Sequence, residues 1–157
     1  MNDLPTINEL ELNISRVVDV PAEKLFRCWS EPDLLKQWFA PKPWSIASSE
    51  IELQAGGKCR TVMKSPEGQE FPNEGIFLEV VPNRKIVMTD AIQQGWIPGP
   101  QNFMIVHVTF EPENGETRYT ARAFHWTKES LDQHIQMGFH QGWHICLNQL
   151  VELARTL

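Results

Sequence analysis

Apolar and polar positions change rhythm three times along this 157-residue chain. The stretch Glu9–Val20, ELELNISRVVDV, is rich in β-branched residues and predicts a long first strand. Pro21 stops it; proline suits the first turn of a helix, where its missing N–H would have no partner anyway. Leu25, Phe26 and Trp29 follow at three- and four-residue spacing, the period of a short amphipathic helix. Ser30 stands at an N-cap position before Pro32 and a second short helix, DLLKQWF, with Leu34, Leu35 and Trp38 on its apolar side.

From Ser45 the helical period gives way to strand-like runs. Ser45–Leu53, Lys58–Lys64, Glu70–Val80 and Lys85–Ala91 read as strands, separated by turn chemistry at Gly56-Gly57, Pro66-Glu67-Gly68 and Pro82-Asn83. A loop carrying Trp96 spans Gln93–Asn102. Strands resume at Phe103–Glu111 and Arg118–Trp126 across the hairpin signal Glu113-Asn114-Gly115. Thr127 then offers a hydroxyl cap, and Leu131, Ile135, Phe139, Trp143, Leu147, Leu150 and Ala154 recur every three or four residues. As one rod, that stripe is about seven turns, roughly 40 Å long. The rhythm predicts an α+β fold: a first strand, two short helices, six further strands joined mostly by hairpins, and a long C-terminal helix. Short connections force antiparallel neighbours, and the helix must bury its stripe against the sheet. Six or seven twisted strands curl, so a helix on the concave side leaves a hollow walled by large side chains.

Composition narrows the picture. The length suits one domain, expected over residues 9–157 behind a short tail, residues 1–8. No apolar run approaches the ~20 residues of a membrane span. A net charge of −6 and a pI near 5.3 argue against nucleic acid as a partner. Six Trp and eight Phe against one Tyr are a large aromatic payload for one small core. Cys28, Cys59 and Cys146 are odd in number and widely spaced, without a C-x-x-C, which argues against a disulfide framework or a zinc knuckle. The acidic N-terminus lacks a signal-peptide pattern, and a reducing, cytoplasmic location is the expectation.

Three stretches carry a family likeness: VDVPAEKLFRCWSEPDLLKQWFAP, GGKCRTVMKSPEGQEFPNEGIFLEVVPNRKIVMT and MGFHQGWHICLNQLVEL. Their markers are Pro21 with Phe26 and Trp29, Trp38 before Pro41, Gly56-Gly57, Pro66-Glu67-Gly68, Gly75 with Glu79 and Pro82, and Gly142-Trp143. Over about residues 10–155 the chain resembles the SRPBCC or START-like superfamily, in its Aha-type branch (activator of heat-shock-protein-90 ATPase homologue). The resemblance implies a helix-grip fold: a curved antiparallel sheet of six or seven strands around a long C-terminal helix that closes a hydrophobic pocket. Superfamily members bind lipids, sterols, polyketides and plant hormones, and some are cyclases or ring-hydroxylating enzymes. The namesake co-chaperones carry a separate N-terminal domain that this chain lacks, so direct activation of that ATPase is not expected.

Candidate chemistry follows from strand alternation and from this branch pattern. The pattern turns Cys59, Thr61 and Met63 inward, and Tyr119, Ala121, Ala123 and His125 should likewise face the helix. Trp38, Met63, Met88, Trp96, Phe103, Tyr119 and Met137 are the candidate ligand-binding wall, each of which also reads as plain core. His125 and His134 complete the candidate set, meeting near the pocket mouth as hydrogen-bonding or acid–base groups. Gly138 and Gly142 suggest a close approach to the helix backbone. His140 and His144 lie four apart, but Gln141 replaces the glutamate of the zinc-protease pattern, and no metal or other cofactor is expected. No nucleophile elbow, activated cysteine or phosphate-cradling loop is present, so no catalytic residue is assigned. Three functions stay open. The first is binding of a small hydrophobic molecule. The second is a cyclase, dehydratase or hydrolase using His125, His134 or Tyr119. The third is an interaction module, chaperone-associated or homodimeric, using the outer sheet face near His107 or the loop around Trp96.

Overall fold

A computed structural model describes residues 7–157. The expected tail falls mostly outside the described residues; its last two, with Glu9 and Leu10, form a short 3-10 turn. Strand β1 (Glu11–Val18) leads through Pro21 into helix α1 (Ala22–Ser30) and the single turn α2 (Pro32–Leu35). Strands β2 (Ser45–Ile51), β3 (Lys58–Lys64), β4 (Glu70–Val81) and β5 (Lys85–Thr89) follow. A two-stranded ribbon, β6 (Ile92–Gln93) with β7 (Ile97–Pro98), occupies the expected loop. Strands β8 (Met104–Glu113) and β9 (Glu116–His125) precede helices α3 (Lys128–Gln136) and α4 (Phe139–Arg155).

Seven strands form one antiparallel sheet in the order β1-β9-β8-β5-β4-β3-β2. The helical segment α1–α2 carries the chain from one edge of this sheet to the other, and α1 packs on α4 and β8 on the way. β9 shows why one face is covered: Thr117, Tyr119, Ala121, Ala123 and His125 are buried, and the residues between them are not. The opposite face carries cross-strand ion pairs, among them Glu11–Arg122 at 2.7 Å and Glu79–Lys85 at 2.7 Å. Such surface pairs each contribute at most about 1 kcal/mol, so apolar burial on the inner face decides where the helices lie.

Two local expectations are corrected. Ser30 does not cap α2: it is the last residue of α1, and its hydroxyl donates to the Arg27 carbonyl at 3.2 Å. The long C-terminal rod is two helices. Thr127 caps α3 as expected, accepting from Ser130 N at 3.1 Å, but the chain breaks at Gly138, whose φ of +89° is left-handed. Glycine adopts that conformation without a steric penalty, which is why the break falls there. A side chain at Gly142 would meet no atom within 4 Å, so no close approach explains that glycine.

Candidate functional site

The space between α4 and the sheet differs along its length. At the C-terminal half of α4, Leu147, Leu150, Val151 and Ala154 are buried in one cluster with Leu25, Phe110 and Tyr119. Trp29 stacks edge-on against Trp38 and Phe39, with ring centroids 5.0 and 5.3 Å away, and Trp38 Nε1 donates to the Cys28 carbonyl at 3.0 Å. Gln149 ties this aromatic group to α4, donating to the carbonyls of Trp38 and Ala40 at 2.9 Å each. At the N-terminal half, Trp143 and Cys146 are only half-buried, as are Cys59 and Met104 on the sheet. Cys59 Sγ lies 4.0 Å from Sδ of the buried Met88. Burial pushes the Cys59 and Cys146 thiols up to about 12.

The sequence candidates divide accordingly. Trp38, Met88 and Tyr119 are buried core, filling space by their own bulk. Met63 and Phe103 are half-buried. Trp96 and Met137 do not wall the interior: they are 65% and 67% exposed. Trp96 has turned outward because the β6–β7 ribbon folds it over the β2–β3 turn, where a Cβ on Gly56 would meet its ring at 3.2 Å. Met137 caps the end of α3, beside the Gly138 break. The candidate wall leaves out Cys146 and Met104, and Trp143, which stands on the helical stripe itself; a sulfur next to that stripe or at the start of a strand was the available signal.

His125 and His134 do come together. His125 Nδ1 lies 3.0 Å from the Leu10 carbonyl, and its Nε2 lies 2.8 Å from His134 Nδ1. They are only 3% and 7% exposed. Phe103 and Phe139 pack their rings 4.9 Å from that of His134. Burial is the main cause that holds the His134 imidazole down to about 4, with His125 and His140 acting in the same sense. Tyr119 does not join them: six residues along β9 is roughly 20 Å of strand. Burial also pushes its hydroxyl well above the usual phenol range. No group of three or more His, Cys, Asp or Glu side chains among the described residues is placed to hold a metal. No helix among them is long and apolar enough to cross a membrane. On the outer face His107 lies against Phe124, and the adjoining positions are charged.

A C-terminal helix laid on an antiparallel sheet, with two short helices after the first strand, is the helix-grip-like arrangement of START and SRPBCC proteins. The chain belongs to the family described as Activator of Hsp90 ATPase homolog 1-like protein, whose model matches residues 19–155. A crystal structure of a protein from Nitrosomonas europaea is similar at 41% identity and TM-score 0.91, over 94% of this chain and 96% of that one. A protein from Mycobacterium smegmatis is similar at 20% identity and TM-score 0.81, over 99% and 98% of the two chains. One from Arthrobacter aurescens is similar at 19% identity and TM-score 0.82, over 98% and 90%. These last two share the fold. No curated protein matches the chain.

Proposed function

We propose that this protein binds a small hydrophobic molecule, lipid-like or aromatic, between the N-terminal half of α4 and the inner face of the sheet. The observation that carries this is the state of Cys59 and Cys146. Both residues pack against the buried core, yet neither is fully covered. Accessible surface on residues packed against the core supports a hollow there, and Met63, Met104 and Trp143 are apolar and likewise half-covered. Thioethers suit such a wall because they adapt their shape to a guest. Register shifts at Ile46/Ser48 and Phe77/Glu79 support the curl that separates sheet from helix, since a bulge bends its strand.

The test fills the space. Cys146→Trp adds an indole where the hollow lies, so it should cost less than the about 1–3 kcal/mol of overpacking a solid core. The native protein should take up the apolar fluorophore N-phenyl-1-naphthylamine, and the substitution should abolish that binding. A large loss of stability with unchanged fluorophore binding would show that the space is solid and the function lies elsewhere.

A further inference from the structure

The hydrogen-bond chain from Leu10 through His125 to His134, joining the 3-10 turn, β9 and α3, takes its direction from the backbone. A carbonyl oxygen only accepts, so His125 Nδ1 carries the proton shared with Leu10 at 3.0 Å. In the tautomer whose single ring proton sits on Nδ1, His125 presents a bare Nε2, to which His134 Nδ1 donates at 2.8 Å. His134 is thereby left with its Nε2 lone pair free, and no described residue donates to it. Among the described residues, Trp29 Nε1 is the sole fully enclosed side-chain nitrogen or oxygen without a partner. His134 Nε2 therefore opens onto accessible space, flanked by the rings of Phe103 and Phe139. A single acceptor in an aromatic collar selects a particular chemistry: a hydrogen-bond donor borne on an apolar body. A carboxylate has no proton to offer, and a plain hydrocarbon would leave the lone pair desolvated and unpaired, which is costly.

We propose that His134 Nε2 is the polar anchor of the apolar site, and that the ligands it selects are weakly acidic hydroxyl compounds, phenols or enols. His125 is a positioning residue, holding His134 in the tautomer that accepts. The inference rests on the binding function proposed above, and the experiment separates the two. The native protein is titrated at neutral pH with 2-naphthol and with 2-methoxynaphthalene, which share one ring system and differ in the donor. Naphthol should bind about tenfold tighter, the worth of one well-made hydrogen bond in a desolvated site. Long-range 1H–15N spectra of the histidine rings should show His134 protonated at Nδ1 and bare at Nε2, with the Nε2 signal moving on naphthol binding alone. A folded His134→Leu protein should lose the preference and keep binding the ether. If that variant does not fold, the native ring signals decide. Equal binding of both compounds, an unmoved Nε2 signal, or a preference that survives in His134→Leu would overturn the anchor and leave the apolar site standing. Binding of neither compound would remove the site itself.

Discussion

The two halves of α4 face the same sheet and differ in how fully they are covered. Toward its C-terminus every stripe residue from Leu147 to Ala154 is buried, because α1 lies alongside and contributes Leu25 and Trp29. Toward its N-terminus Phe139 is buried but Trp143 and Cys146 remain half-covered, as do Cys59 and Met104 on the sheet. Interlocked indoles and a phenyl ring close one end; thiols, a thioether and the half-covered indole of Trp143 border the other. Burying a large rigid ring contributes roughly 1.5–3 kcal/mol, and the trio Trp29, Trp38 and Phe39 concentrates that gain at a single place. One end holds the fold together, which leaves the other free to stay loose.

The largest expected effect tests that division directly. Trp29→Ala should destabilise the protein by about 3–5 kcal/mol in urea unfolding, whereas Cys146→Ala should cost about 1 kcal/mol or less. Equal losses would erase the contrast. A smaller effect belongs to the open end and to acid. The His134 imidazole sits near 4 in the folded protein against 6.5 for the free side chain. The unfolded chain thus binds more protons between those values. Stability is complete above about pH 6.5 and falls as the pH drops toward 4. Allowing for solvent screening of the ring, the loss should be about 2 kcal/mol. His134→Phe should flatten this acid limb, and Trp29→Ala should lower the whole curve without flattening it. The smallest effect marks the joint between α3 and α4. Gly138→Ala should cost about 1 kcal/mol because of its left-handed φ. Gly142→Ala, mid-helix with open space around it, should gain up to about 1 kcal/mol. Melting temperatures of opposite shift would confirm that only the first glycine is a joint.

The strands were legible because alternation and turn chemistry agree: Lys58–Lys64 matches its predicted range, and Gly115 supplies the positive φ that its hairpin needs. The helix break was not. Leu131, Ile135 and Phe139 keep a helical spacing across it, and spacing does not report a change in chain direction. Ile135 sits on the expected stripe yet is exposed, while its neighbour His134 is the buried one. Apolar character likewise does not say which way a loop residue turns, which is how Trp96 and Met137 entered the candidate wall. His125 was legible from the two-residue period of β9, and its partnership with His134 from the short connection that joins β9 to α3. The carbonyl of Leu10 that orients the pair leaves no trace in side-chain identity.

The seating of β1 beside β9 has a consequence for synthesis. Glu11 and Arg122, ion-paired across that seam, are 111 residues apart in the chain. β1 must wait, its hydrogen-bonding edge unmatched, until β9, the last strand of the sheet, has left the ribosome. Contacts of such long range slow folding, and an unmatched edge invites stray partners while it waits. The charges Glu9, Glu11 and Arg16 on and just before that strand fit the need to keep a nascent chain from sticking to its neighbours.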